Sequence, residues 1–426
     1  MNYRSDLNFA RDLDKDNEMI AYKEEFYQDD NRIYLVGNSL GLLSKSAEKE
    51  IMQTLDEWRE HGVEGWTKGE PAWFWYGEKL GDMTAPLIGA EPEETIVTGS
   101  TTLNIHQLLA SFYRPEGRRK KILVDELNFP SDIYAVKSQL AQHGNESELV
   151  VVESQDGRTL EEEDIIAAFN DEIAIALLPT VLYQSGQLLD VERLTEAAHE
   201  HGILIGFDLA HSVGILPHDL SGAGVDFALW CNYKYLNAGP GAVGGLYVNK
   251  KHFDREPGLA GWWGHDKETQ FEMSHEFTPA EDAGAMQIST LPILSSAPLF
   301  SSLDMINEIG IEKVREESLK RTSYLAYLMA EKLDTETVNY SIVTPEDDSR
   351  RGGHIAVKFE REAYRISKAL KEAGVIVDFR EPDTIRFAPS PLYISFEDLY
   401  NAVEILADII NQERFEEVSK ERGSVT

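Results

Sequence analysis

The stretch IAIALLPTVLYQSGQLLDVERLTEAAHEHGILIGFDLAHSVG, residues 173–214, holds a complete strand–helix–strand unit. Its apolar runs, IAIALLP from Ile173 and ILIGFD from Ile203, lack period-2 alternation, as strands buried on both faces do. Between them DVERLTEAAHEHG, Asp190 to Gly202, opens on an acidic cap and closes on glycine, the signals of an amphipathic helix. Two such strands joined by a helix are parallel neighbours in a sheet covered on both faces.

Outward from this unit the pattern repeats. Strand-like runs recur as KILVDE from Lys121, LVVVES from Leu149, FALWC from Phe227 and GGLYV from Gly244, and SDIYAVKSQLAQHG, Ser131 to Gly144, reads as a helix. From Ser301 the character changes to a long helical stretch, SSLDMINEIGIEKVREESLKRTSYLAYLMAEKL. It is followed by HIAVKF, a helix around Ile366–Ala373, VIVDFR, TIRFAP and a closing helix from Phe396. The expected fold is α/β: a large domain, 56–300, with a mostly parallel central sheet, and a smaller α+β domain, 301–426. Residues 1–55 show no strand series and are expected to pack beside the smaller domain.

A chain of 426 residues is long enough for two or three domains with a large core. Hydrophobic residues at 42% and charged residues at 27% exclude disordered and collagen-like chains. The net charge of −35 repels phosphate backbones and anionic lipid, which argues against nucleic-acid and membrane partners. The single cysteine, Cys231, excludes an intramolecular disulfide and a Cys-rich zinc site. The opening MNYRSDLNFARDLDKD has no apolar h-region, and no apolar run reaches membrane-spanning length, so a soluble cytoplasmic protein is expected.

Lys234, in FALWCNYKYLNAGPGAVGG, follows an apolar run where burial disfavours its charge. A partly desolvated lysine suits Schiff-base chemistry, although a lysine snorkelling from a strand end explains the same residue. Asp208 ends ILIGFD, at the carboxyl end of a strand where open parallel sheets place ligand groups; it is equally a turn-capping Asp. His211 follows three residues later and can stack on a ring or simply pack. In TGSTTLNIHQLLASF, Thr101 and Thr102 open a helix whose N-terminal N–H groups suit a phosphate, or mark ordinary capping. Gly239, Gly241 and Gly244 spell GxGxxG but run into a strand rather than a helix, so they read as a tight connection and not a dinucleotide site. His199, His201, Asp208 and His211 have no metal-ligand spacing, and no metal is expected. Trp58, Trp66, Trp73 and Trp75 fall within 18 residues in a polar, Gly-rich setting, and Trp262 and Trp263 adjoin; a surface for a flat aromatic substrate is the alternative to core or subunit packing.

Taken together, GNSLG, TLNIH, NFPSD, DLAHSVG, NYKYLNAGPG, GWWGH and APSPLY resemble, in order and over nearly the whole chain, the kynureninase family. The resemblance implies the type I fold of pyridoxal 5′-phosphate (PLP) dependent transferases and hydrolysis of L-kynurenine to anthranilate and L-alanine. It implies that Lys234 is the Schiff-base lysine, that Asp208 holds the pyridinium nitrogen, and that Tyr233 shuttles a proton. His211, Phe129, Pro130, Ser131 and Asp132 would lie at the cofactor, with Thr101, Thr102, Tyr233 and a partner subunit's copy of Trp262 at its phosphate. Arg386 would bind the substrate carboxylate, near Asn38 and Ser39. Trp66, Trp263, Ser289 and Thr290 would line an aromatic pocket shared across a homodimer, with Thr290 also reaching the cofactor. Trp66 with Thr290 points to kynurenine rather than its 3-hydroxy form. Pro179 stands where the family places a small hydroxyl residue, which leaves Thr180 without an assigned role.

Two rival functions are weaker. A cysteine desulfurase or selenocysteine lyase resembles a family that carries its nucleophilic cysteine well after the lysine, whereas Cys231 precedes Lys234 within an apolar run. A non-catalytic PLP-fold regulator resembles a fusion with a DNA-binding domain, and no basic helix-turn-helix segment is present.

Overall fold

The computed structural model describes residues 2–144, 148–333 and 337–421. The runs at 121, 149, 173, 203, 227 and 244 form strands Lys121–Asp125, Leu149–Val152, Ile173–Pro179, Leu204–Asp208, Phe227–Cys231 and Gly244–Val248. With Thr95–Val97 they make a seven-stranded sheet in the order 95–97, 244–248, 227–231, 204–208, 173–179, 121–125, 149–152. The five strands from 227–231 to 149–152 are parallel. Gly244–Val248 is antiparallel to both neighbours because residues 232–243 return without the crossover helix that a parallel partner needs. Thr95–Val97, at three residues, is too short to stand out in the sequence.

Alternate residues of these strands point to opposite faces. Leu123, Leu178, Ile205, Phe207 and Trp230 pack on one face, and Ile122, Val124, Leu177, Phe227 and Leu229 on the other. Both sets are apolar because both faces are covered, which is why the runs showed no alternation.

The helix expected at 190–202 is Val191–Glu200, with the Asp190 carboxylate capping Arg193 N. The helix read from Ser131 begins one residue earlier, Pro130–Gln142, since proline suits the first helical position. The long stretch from 301 is two helices, Ile293–Ile309 and Ile311–Lys332, separated at Gly310, whose φ of +84° breaks the helical path.

The run VIVDFR also divides. Val375–Ile376 pairs in parallel with Ile33–Tyr34, so the first fifty residues contribute a short strand that their sequence pattern did not show. Asp378–Arg380 joins a four-stranded antiparallel sheet in the order 378–380, 384–387, 355–359, 340–342. Ala10, Met19, Phe26 and Leu35 share one core with Tyr324, Leu328, Phe387, Leu399 and Leu406. The Asp14 carboxylate accepts from Phe396 N at 2.8 Å and Glu397 N at 2.9 Å, capping the closing helix Phe396–Asn411. Among the described residues no helix is long and apolar enough to cross a membrane.

Candidate active site

In the large sheet 121–125 lies between 173–179 on one side and its own successor, 149–152, on the other. The order reverses there, and the crevice beyond the carboxyl ends of such strands is where an open α/β sheet binds ligands. A cavity of about 280 Å³ occupies that place, lined by Phe129 and Ser131 after one strand, then Pro179, Asp208 and Cys231 at the ends of three more.

Lys234, Asp208 and His211 meet in it. Asp208 ends its strand and accepts from Ala210 N at 2.7 Å. Lys234 Nζ lies 3.0 Å from His211 Nε2. Burial, and after it the positive charge of Lys234, holds the His211 imidazole well below its ordinary pKa, so the ring is neutral and accepts the lysine's hydrogen bond. Behind Ser131, the Asp132 carboxyl is buried against Asp208. Burial raises both, and the Asp208 charge raises Asp132 further, whereas Lys234 opposes the rise at Asp208. Charge is therefore disfavoured at Asp132 by both burial and Asp208, whereas at Asp208 the neighbouring Lys234 favours it.

Thr101 and Thr102 line the cavity at the start of the helix Thr101–Phe112, two residues after Gly99, whose φ is +59°. The Ser100 side chain makes no cap, so the N-terminal N–H groups and the helix dipole are available to an anion. Tyr233 also faces the cavity; burial raises its phenol, which keeps its proton at neutral pH.

Opposite the lysine, Arg386 is buried in the strand Thr384–Phe387. It donates to Tyr183 O at 2.6 Å and Ser39 Oγ at 3.1 Å, and is paired with Asp378. Ser39 Oγ donates to Asp378 at 2.5 Å, and Arg380 donates to the same carboxylate at 3.0 Å. Asn38 is fully buried beside them.

Of the residues expected at the site, Asn38, Ser39, Thr101, Thr102, Phe129, Ser131, Asp208, His211, Tyr233, Lys234 and Arg386 line this one cavity, and Asp132 lies directly behind. Pro130 is exposed at its helix start. Trp66, Trp262, Trp263, Ser289 and Thr290 are not in the cavity wall. Trp66 packs edge to face with Trp73, and Trp263 with Phe74 and Trp262, at centroid distances of 5.6–5.8 Å; Trp66 and Trp263 themselves are tilted at 5.5 Å, while Ser289 and Thr290 are exposed. Pro179 takes a place in the wall; Thr180 is buried behind it, its hydroxyl 3.2 Å from Asp208 O and 2.7 Å from Ser212 Oγ.

Sequence reading missed Tyr183, Arg380, Asp378 and His354. Asp378 and Arg380 were visible only as strand residues of VIVDFR, and Tyr183 stands in a loop with no motif. The His354 ring, buried and lowered to a pKa of about 3 chiefly by burial, lies 5.9 Å from that of His211. The dispersed histidines have other partners: His199 Nε2 meets Asp226 at 2.9 Å, and His201 Nδ1 meets Ala197 O at 3.0 Å.

The donor set fits a phosphorylated aldehyde on a protonated pyridine. It offers a lysine amine for the aldehyde, a buried carboxylate for the ring nitrogen, a helix start with two threonines for the phosphate, and an arginine for a substrate carboxylate.

Residues 314–406 match the family model described as the kynureninase C-terminal domain. The chain is 54% identical over 421 residues to the kynureninase of Geobacillus thermodenitrificans, covering 98% of each chain. It is also 54% identical over 425 residues to that of Bacillus anthracis, covering 99% of each. The chain belongs to the kynureninase family. The kynureninase of Shouchella clausii is similar at 52% identity, covering 98% of this chain and 97% of that one. Among solved structures, the fold is shared with a C-DES mutant carrying glycine covalently linked to its PLP cofactor, at TM-score 0.78 and 19% identity over 91% of this chain and 99% of that one. It is shared too with an apo cysteine desulfurase of Thermococcus onnurineus, at TM-score 0.77 and 18% identity over 92% and 98%. At such identities a likeness speaks for the fold alone. It shows that this kynureninase-family chain shares their α/β fold, with a mostly parallel central sheet.

Proposed function

We propose that this chain binds pyridoxal 5′-phosphate in the cavity around Lys234 and hydrolyses L-kynurenine to anthranilate and L-alanine. The observation that carries the reading is the convergence of Lys234, Asp208 with His211, and Arg386, from three separate segments, on one cavity.

When bound, the cofactor supplies an aldehyde for an amine and a protonated ring that accepts electrons from the substrate's α-carbon. Lys234 would hold that aldehyde and carry the proton of the substrate's α-carbon. Asp208, its charge favoured by Lys234, would hold a proton on the ring nitrogen. Neutral His211 accepts from the lysine ammonium and orients it. Thr101 and Thr102 take the phosphate at the helix start. Phe129 and Ser131 bound the site, and Pro130 fixes the turn into their helix. Arg386, steadied by Ser39 and beside Asn38, takes the α-carboxylate. Tyr233 keeps its proton and is the acid that protonates developing negative charge. Water supplies the hydroxyl that ends on anthranilate.

The aromatic end of the substrate is assigned to Trp66, Trp263, Ser289 and Thr290, with Trp262 and Thr290 presented to the neighbouring subunit of a homodimer. The exposure of Trp262, Phe271, Met273 and Leu294 on one stretch of chain supports that interface. Trp66 and Thr290 favour kynurenine over its 3-hydroxy form. The reading is of a cytoplasmic enzyme.

The test is anthranilate fluorescence after L-kynurenine is added to the PLP-loaded protein. Growth of the signal establishes reaction and substrate together. A flat trace with the cofactor bound rejects the substrate.

A further inference from the structure

The hairpin of strands Asp378–Arg380 and Thr384–Phe387 carries Asp378, Arg380 and Arg386, the charged group facing Lys234 across the cavity. Its turn is clamped from outside. Arg158 makes a bidentate pair with Asp383, Nη2 lying 2.6 Å from Oδ1 and 2.8 Å from Oδ2, while Nη1 donates to Thr384 Oγ1 at 3.1 Å. Both side chains are largely buried, 17% and 21% exposed. Asp383 also accepts from Thr384 Oγ1 at 3.0 Å, and its carbonyl accepts from Phe359 N at 2.9 Å.

Arg158 belongs to the other half of the molecule, on the loop after the edge strand Leu149–Val152 of the large sheet. That loop is held by its own hydrogen bonds. Asp156 Oδ1 accepts from Arg158 N and Thr159 N, each at 2.7 Å, and Ser154 Oγ donates to Thr159 O at 2.6 Å. Glu126, which follows the strand Lys121–Asp125, accepts from Ser154 N at 2.9 Å. The guanidinium therefore stands on a platform anchored to the sheet that carries the cofactor-side residues. Arg386 lies three residue steps beyond Asp383, about 10 Å along the strand. A turn pinned at one end sets how far and at what angle Arg386 reaches toward Lys234.

We infer that Arg158, through its pair with Asp383, is a positioning residue for the carboxylate-binding arginine, fixing the distance between the substrate's amine site on one half of the chain and its carboxylate site on the other. The inference rests on the reading that Arg386 binds the α-carboxylate. Arg158 touches no substrate; it acts by geometry, and a two-point contact with a small amino acid is sensitive to misplacement of one of its points.

The experiment compares holoenzyme variants by titration with L-alanine and with ethylamine, the same amine without a carboxylate, followed by the change in cofactor absorbance. For Arg158→Gln the affinity for L-alanine is expected to fall about tenfold and that for ethylamine to stay within twofold, with KM for L-kynurenine raised and kcat at saturation within about threefold. Asp383→Asn, which removes the same pair without touching the Asp156 loop, should reproduce the pattern, and Arg158→Lys should restore part of the L-alanine affinity. Equal weakening of both amines, or L-alanine affinity unchanged in both variants while Arg386→Gln loses it, overturns the positioning role but leaves the carboxylate assignment standing. Unchanged L-alanine affinity in Arg386→Gln overturns the assignment itself.

Discussion

The Lys234 ammonium and the His211 imidazole are hydrogen-bonded, Nζ to Nε2 at 3.0 Å, across 23 residues of sequence. His211 can serve as acceptor only because burial and the neighbouring cations keep it neutral. A lysine that must release and regain an aldehyde needs such a partner: it orients the amine without adding a competing charge.

From this pair we expect Lys234→Ala to lower turnover at least ~10³-fold, and His211→Asn to lower kcat/KM about 10–100-fold while cofactor is still bound. Anthranilate fluorescence measures both. A Lys234→Ala protein working near the wild-type rate would remove the assignment of that residue.

Cys231 lines the same cavity, yet it is 2% exposed and burial raises its thiol. A raised, inaccessible thiol is a poor nucleophile. Cys231→Ala should keep kcat within about fivefold, and iodoacetamide should leave the native thiol unmodified while it alkylates the urea-unfolded chain. Rapid native alkylation with loss of activity would favour sulfur chemistry instead.

His218 Nε2 is bonded to Ser212 Oγ at 2.8 Å, and burial lowers its pKa to about 4. The unfolded chain takes up this proton near pH 6.5, so between 6.5 and 4 it binds more protons than the folded state, and stability falls as pH drops through that window. At pH 4.5 the loss from this one group is about 2–3 kcal/mol relative to pH 7. Urea unfolding at the two pH values should show a smaller acid loss in His218→Asn by about that amount. An identical pH dependence in both proteins would mean that His218 is protonated in the folded state.

Asp226 is a buried hub. It meets His199 Nε2 at 2.9 Å, His252 Nε2 at 2.7 Å, Lys251 Nζ at 2.8 Å and Ile205 N at 2.8 Å. Burial alone would raise its carboxyl, but these donors overcome that and hold it well below the usual range. Asp226→Ala strands the donors and should cost about 3–5 kcal/mol in urea unfolding, with kcat near wild type at low temperature. A loss below 1 kcal/mol would show that water replaces the hub.

The sheet was legible because a strand covered on both faces writes one uninterrupted apolar run. Leu204–Asp208 and Phe227–Cys231 are such runs, and their ends marked Asp208 and Lys234 as candidates. Three-residue strands such as Thr95–Val97 and Tyr340–Ile342 carry too few residues for any period to register. The division of VIVDFR between two sheets depends on which backbone lies alongside, Ile33–Tyr34 for one half and Thr384–Phe387 for the other.

The chain by itself thus determined the α/β class and marked the lysine, the strand-end aspartate and the threonines at a helix start as candidates, since each follows from local pattern and chemistry. Tertiary structure alone decided that Arg386 is held by Ser39, Tyr183 and Asp378, from 347, 203 and 8 residues away. It alone placed Asp132 against Asp208 and aimed Arg158 at the turn that carries the arginine. Charge interactions depend on distance through space and on burial, and residues hundreds of positions apart acquire both only when the two halves of the chain pack together.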